Sequence, residues 1–525
     1  MSNQNTQPAP PKEYKFQGEA TASVCSNHKI PVVPKKYLLP FILVTSLFAL
    51  WGFANDITNP LVAVFKDVFV INNAQSSWVQ MAFYGGYATM ALPAALFIRR
   101  YSYKAGIMVG LALYAIGALL SIPAAAGANF NLFIVGLYVL TFGLAFLETT
   151  ANPYILSMGD PSTATRRLNL AQAFNPIGSL AGMTVAVTVI LSTIQVEDFK
   201  NDVNGYYAEA HPTTTEQKTQ DLYILPFLRA EPRERTNDPV VKEYVATLDA
   251  GVEDVAGNAL TDYKEGTVAT FNNLTHTELQ QHDLKIVALP YTILGCVVIG
   301  MLVVFFVAKM PNTCPPTGDH SLHFNDTVKR LFANPRYVGG VIAQTFYVGA
   351  QIMCWTFIIQ YAETELGIDK ATAQKHNIAA MVVFLCSRFI CTFFLKYVSP
   401  GRLLMVLAIA AIGCTLGAIH LEGMAGLYSL MAISACMSLM FPTIYGIALE
   451  GLGSDAKLGS AGLIFAIVGG ALMPRIQGGI MDMDSFMGTT ATRGSFYLPL
   501  LSFVVIAIFG LYCRKPRTKP HGHPA

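Results

Sequence analysis

Two acidic side chains stand in stretches that are otherwise apolar enough to cross a membrane. Asp56 lies in the segment GFANDITNPLV, residues 52–62, and Glu148 lies in a second apolar run. An ionised carboxylate at the centre of a bilayer costs about 3 kcal/mol even on lenient scales. Because loss of water disfavours the charged form, we expect both carboxyls to bind and release a proton near neutral pH. The structural alternative is an acid that stays protonated and donates one hydrogen bond.

Amide and aromatic side chains repeat at helical intervals in four of the apolar segments. Intervals of about one turn place them on one face of each helix, in the sets Asn55, Asp56 and Asn59; Glu148 and Asn152; Gln172 and Asn175; and Tyr347, Gln351 and Trp355. Such a face lines a hydrated cavity or packs against another helix. In packing, each amide contributes about 0.5–2 kcal/mol of interhelical hydrogen bonding. The residue types leave both alternatives open.

A third charged side chain lies within the apolar segments. Arg388 is about two turns from the end of its predicted helix, near the depth expected for Glu450. An ion pair between them would close a gate. The alternative is that the long arginine side chain reaches back to the membrane surface, and the sequence does not separate the two.

Composition identifies the elements that must position these side chains. Of the 525 residues, 53% are hydrophobic and 13% are charged, which is typical of a chain that crosses the membrane repeatedly. The formal net charge of +2 gives no reason to expect a nucleic-acid partner. The nine cysteines do not follow a disulfide framework. We therefore predict an all-α integral membrane protein without a metal site or a cofactor.

Hydropathy over a window of about 19 residues predicts twelve membrane-spanning helices. They lie near residues 38–63, 77–99, 104–126, 130–158, 169–194, 286–308, 336–362, 376–396, 401–420, 424–449, 458–481 and 495–513. We refer to them as spans 1 to 12. Basic residues collect on one side of these helices, and the positive-inside rule makes that side, with both chain termini, cytoplasmic.

The spans divide six and six, with two long segments between them. The predicted order is a cytoplasmic tail (1–36), spans 1 to 5 (37–194), an outer insertion (195–285), span 6 (286–309), a cytoplasmic linker (310–335), spans 7 to 12 (336–513) and a second tail (514–525). Tyrosines and prolines in the insertion favour a small folded domain over disorder. Faint similarities between the halves indicate two six-helix bundles that rock around a site at the midplane.

Four motifs resemble those of fucose permeases in the major facilitator superfamily: Asn55-Asp56, residues 147–154 (LETTANPY), residues 167–175 (RLNLAQAFN) and residues 347–355 (YVGAQIMCW). The resemblance implies that fold and extends over nearly all spans. It implies that Asp56 and Glu148 are the proton-coupling acids and that Gln172 and Asn175 contact sugar. The aromatic residue of the tenth span falls on Phe441, where the family has a tyrosine. The long insertion is a second departure.

The residues and the resemblance together predict the proton-coupled import of a monosaccharide, L-fucose or a related hexose, by alternating access. Amides donate and accept, so they replace the water lost by sugar hydroxyls, and aromatic rings cover the apolar face of a pyranose. We expect a monomer in the inner (plasma) membrane with only the proton as coupling ion. The alternatives are a sodium-coupled or facilitative carrier of glucose or galactose, and a sugar-sensing receptor. An enzyme is disfavoured, because no nucleophile and base stand together.

Overall fold

The computed structural model describes residues 31–58, 61–71, 75, 78–211, 235–249, 252, 255–311, 324–368, 370–483 and 485–514. Within these ranges twelve helices are long and apolar enough to cross a membrane: Lys35–Thr58, Met81–Arg100, Tyr103–Ala126, Phe130–Ser157, Pro161–Ile190, His276–Val307, Pro335–Leu366, Thr372–Phe394, Pro400–His420, Met424–Ala448, Gly453–Met481 and Ala491–Tyr512. The number and order of the spans are those predicted, which confirms the fold class. Spans 5 and 6 begin earlier than predicted.

The ends of the helices define two sides of the membrane layer. One side carries basic residues at the ends of several spans, among them Arg100, Arg336, Arg402 and Arg514, and we call it the basic side. The other side carries the segment between spans 5 and 6, and we call it the insertion side. Odd-numbered spans run from the basic side to the insertion side, and even-numbered spans return.

Spans 5 and 10 are each interrupted near the middle. Span 5 contains the helices Ala164–Gln172 and Asn175–Val185, and span 10 contains Met424–Met437 and Met440–Ala448. Each interruption is followed by a proline, Pro176 or Pro442. Proline has no backbone N–H, so the carbonyl four residues earlier loses its helical hydrogen bond. The sequence therefore frees one carbonyl at each of these two interruptions, that of Gln172 and that of Ser438.

Glycines bring span 1 and span 5 into backbone contact. A Cβ atom built on Gly178 would lie 1.8 Å from the carbonyl oxygen of Ala49, and one on Gly182 would lie 2.6 Å from that of Phe53. Small residues at membrane helix interfaces permit this close approach. The contact fixes span 1, which carries Asp56, against span 5, which carries Gln172.

The described part of the segment between spans 5 and 6 is helical, with helices Gln195–Ala210, Pro239–Val245 and Val255–Glu265. Buried Asp202 accepts hydrogen bonds from the backbone N–H groups of Thr236 and Asp238 and from the Thr236 hydroxyl. Lys200 pairs with Asp67 at 2.7 Å, which ties this segment to the short helix Leu61–Phe69 that follows span 1. The insertion is thus anchored to the N-terminal half.

Two small elements belong to the C-terminal half. The helix Phe324–Phe332 precedes span 7 on the basic side, where Arg330 forms a bidentate pair with Asp455 at 2.8 and 2.9 Å. The strands Ser485–Phe486 and Thr489–Thr490 pair antiparallel between spans 11 and 12. Neither element was predicted from hydropathy, because both lie outside the apolar runs.

Candidate functional site

The two predicted acids are both buried in the N-terminal half. Asp56 is 3% exposed and Glu148 is 2% exposed. The Oε2 atom of Glu148 has no hydrogen-bond partner within the described residues. A buried carboxyl oxygen without a donor disfavours the ionised form. The geometry therefore fits an acid that is protonated in this conformation.

Two tyrosines of span 2 lie beside these acids. Tyr84 interacts electrostatically with Asp56, and Tyr87 interacts electrostatically with Glu148. The Trp51 indole N–H donates a hydrogen bond to the Tyr87 hydroxyl. Because an indole N–H is only a donor, the hydrogen of Tyr87 is left for another acceptor. Sequence reasoning missed both tyrosines, whose spacing of three residues on one helix face was the available signal.

The predicted amides of spans 4 and 5 meet at the same place. Gln172 donates from Nε2 to Asn152 Oδ1 at 2.7 Å, and both side chains are buried. The Nδ2 atom of Asn152 has no partner in the described part of the chain. Asn152 is one helical turn from Glu148, so the amide pair and the acid share one face of span 4. This pair supplies an unused donor next to a proton-binding group.

The structure gives fewer contacts for the other predicted amides. Asn175 is half-buried and donates to the carbonyl of Phe48 at 3.3 Å, which joins spans 5 and 1. Asn55 and Gln351 are half-buried. Asn59 lies outside the described residues. Only Gln172 and Asn152 are therefore seen to be brought together, and the role of the remaining amides stays a prediction.

The C-terminal half contributes aromatic rings. The Tyr347 and Phe441 rings meet edge to face at 6.1 Å, and Phe441 stacks with Tyr445 at 6.3 Å. Trp355 donates from Nε1 to the Ser434 hydroxyl at 3.2 Å and packs edge-on to Phe384 at 5.0 Å. The rings thus form two groups, Tyr347, Phe441 and Tyr445 on spans 7 and 10, and Trp355 with Phe384 on spans 7 and 8. We call the two groups together the aromatic wall.

The two halves touch on the basic side of this wall. Asn169 of span 5 donates to the Thr443 hydroxyl of span 10 at 3.2 Å. Nearer the membrane surface, Lys457 lies 5.1 Å from the centre of the Tyr103 ring. On the insertion side, span 7 borders an open cleft of about 610 Å³ lined by Thr356, Ile359, Gln360, Glu363 and Thr364. The described residues thus join the halves on the basic side, and one face of span 7 is open to solvent near the insertion side.

Arg388 and Glu450 have different partners in the structure. Neither arrangement expected from the sequence, an ion pair between them or an arginine that reaches the membrane surface, is therefore seen. Arg388 is 3% exposed and does not reach the surface. It donates to the backbone carbonyls of Ser438 and Gln172, the latter at 2.8 Å. Glu450 is about half exposed and lies 3.3 Å from Arg336 Nη1. The two residues sit at different depths, which spacing along separate helices does not reveal.

Comparison with known proteins gives one consistent picture. A family model described as Major Facilitator Superfamily matches residues 43–195. The chain is 48% identical over 482 residues to the L-fucose-proton symporter of Haemophilus influenzae, covering 91% of this chain and 97% of that protein. It is 29% identical to a glucose/galactose transporter of Brucella abortus, with coverage of 91% and 94%. A crystal structure of the E. coli transporter FucP in the outward conformation is similar with a TM-score of 0.69 and 30% identity, covering 92% of this chain and 100% of that one.

Proposed function

Because the chain belongs to the L-fucose-proton symporter family of the major facilitator superfamily, we propose that it carries L-fucose into the cell together with a proton. The observation that carries this proposal is one buried cluster, in which Glu148 lies beside the Gln172–Asn152 amide pair and faces the aromatic wall of the other half. A transporter needs a sugar site and a proton site that sense each other. Glu148, assigned to the proton, and Asn152, assigned to the sugar, are one helical turn apart on span 4.

Sugar recognition is assigned to the amides and the aromatic wall. Asn152 offers an unused N–H, and Gln172 holds it in place. Asn175, Asn55 and Gln351, which are half-buried, extend this polar lining. Asn59, outside the described residues, is assigned to it by its place in the sequence alone. Tyr347, Trp355 and Phe441 supply flat apolar surface for the pyranose ring. Phe441 has no hydroxyl, so its contribution is stacking alone.

Proton coupling is assigned to the two acids. When Glu148 and Asp56 are protonated, the loaded transporter is free to turn toward the cytoplasm. Release of the protons there resets it. Tyr87 is placed to hydrogen-bond Glu148 during this exchange, because Trp51 already occupies its oxygen. Neutral acids lower the cost of moving the site through the membrane interior.

The basic side is assigned to the cytoplasm, which places both termini there and the protein in the inner (plasma) membrane. The described conformation then faces outward, because the halves meet on the basic side. We propose a monomer that needs only the proton as coupling ion and carries out no chemical reaction.

Uptake of labelled L-fucose by proteoliposomes tests the proposal. An inwardly directed proton gradient should drive accumulation above the external concentration, and a sodium gradient should not. Similarity to the glucose/galactose transporter makes hexose transport the second candidate. A panel of L-fucose, galactose, glucose and arabinose separates the two. Accumulation of glucose or galactose in preference to L-fucose, or sodium dependence, would overturn the proposal.

A further inference from the structure

The two interrupted helices leave their freed carbonyls facing one arginine. In an unbroken helix, the carbonyl of Gln172 would accept from the residue at position 176, and that of Ser438 from position 442. Both positions are prolines, which have no N–H to donate. Arg388 of span 8 supplies the missing donors, with Nη1 on the Gln172 oxygen and Nε on the Ser438 oxygen. One side chain thus satisfies a proline-freed carbonyl in each half.

Among the described residues no acidic side chain forms an ion pair with Arg388. Its contacts in the described part of the chain are the two carbonyls and the face of Phe384, whose ring centre lies 4.6 Å from the guanidinium carbon. A planar guanidinium reaches two acceptors at once and also stacks on an aromatic ring. Two carbonyl dipoles and a ring therefore replace the carboxylate that a buried arginine usually requires.

We propose that Arg388 is a positioning residue that clasps the two halves together near the middle of the membrane layer, by binding the proline-freed carbonyls of span 5 and span 10. The inference rests on the alternating access proposed above. Arg388 and Ser438 belong to the same half, so their hydrogen bond persists when the halves rock. The bond to Gln172 crosses between the halves and must break when the basic side opens.

Because the acceptors of Arg388 are backbone carbonyls, the clasp should respond to changes in the backbone of span 5 and not to changes in the Gln172 side chain. Changing the side chain of Gln172 leaves the carbonyl in place. Pro176→Ala, in contrast, supplies a backbone N–H that competes for the Gln172 oxygen, and it leaves the Arg388 side chain unaltered. Arg388→Lys keeps the charge but loses the planar fork that bridges two acceptors. Both variants should weaken the same hydrogen bond and favour opening of the basic side.

The test measures exposure of the interface between the halves. A single cysteine replaces Asn169, which contacts Thr443 across the halves, in protein whose native cysteines are substituted. Inside-out vesicles present the basic side to a membrane-impermeant maleimide. Pro176→Ala and Arg388→Lys should each raise the labelling rate roughly tenfold, the effect of one charge-assisted hydrogen bond. Pro93→Ala, which restores an N–H in span 2 away from Arg388, should leave the rate unchanged.

Unchanged labelling in Pro176→Ala, or an equal rise in Pro93→Ala, would overturn the clasp. Because Pro176→Ala leaves Arg388 intact, loss of folding in Arg388→Lys does not remove the test. Counterflow of labelled L-fucose is measured in the same vesicles before substitution. Absence of counterflow would refute the proposed function, whereas the labelling rates refer only to how the halves are held.

Discussion

Addition of one methyl group at Gly178 should push span 1 away from span 5. The Cβ of alanine would lie 1.8 Å from the Ala49 carbonyl oxygen, whereas ordinary contact begins at 3.4 Å. The difference, 3.4 minus 1.8, requires a local separation of about 1.6 Å between two backbones. Because the obstacle is backbone, no side-chain rotation relieves it. We expect Gly178→Ala to cost about 1–3 kcal/mol of stability, the usual range for overpacking.

Thermal unfolding of the detergent-solubilised protein measures this cost. Gly300→Ala is the matched control, because a Cβ at that position in span 6 meets nothing within 4 Å. Gly178→Ala should lower Tm clearly and Gly300→Ala should not. The separation also moves Asp56 relative to Gln172, so sugar uptake should fall with stability. Equal Tm values for the two variants would refute the close packing of spans 1 and 5.

Three further predictions concern the site and the insertion. Tyr87→Phe leaves the Trp51 indole N–H without its acceptor and should cost about 1–3 kcal/mol, part of which Trp51→Phe in the same chain restores, as compared by thermal unfolding. Gln172→Ala removes the donor that holds Asn152, so the KM for sugar uptake should rise roughly tenfold, and an unaltered KM would exclude Gln172 from the site. Asp202→Ala removes three hydrogen bonds inside the insertion and should expose it to protease added on the insertion side. Glu209→Gln is its control, since Glu209 is exposed and pairs with Arg235, whose hydrogen bond lowers the pKa of that carboxyl.

The membrane architecture followed from the sequence because its signal is local. Twelve apolar segments can be counted without knowing how they pack, since every backbone group in lipid must be paired within its own helix. The polar residues inside those segments were visible for the same reason. Asp56, Glu148 and Gln172 stand out in hydrocarbon because burying them there is costly.

The contacts between spans did not follow from the sequence, because they depend on packing. Tyr84 and Tyr87 look like ordinary hydrophobic residues of span 2 until span 1 and span 4 are placed beside them. For Arg388 the sequence left open an ion pair with Glu450 and a reach to the membrane surface, but its acceptors are carbonyls that carry no side-chain signature. The two prolines were the available signal, since each predicts a free carbonyl four residues earlier.

The account depends most on Glu148 binding and releasing a proton as the transporter turns over. Glu148→Gln fixes this side chain in a neutral form that resembles the protonated acid. In proteoliposomes, the variant should retain counterflow of labelled L-fucose, which needs no net proton movement, and lose accumulation driven by a pH gradient. Glu450→Gln, at an exposed carboxylate, should retain both activities. Accumulation by Glu148→Gln at the level of the unaltered protein would contradict the central claim.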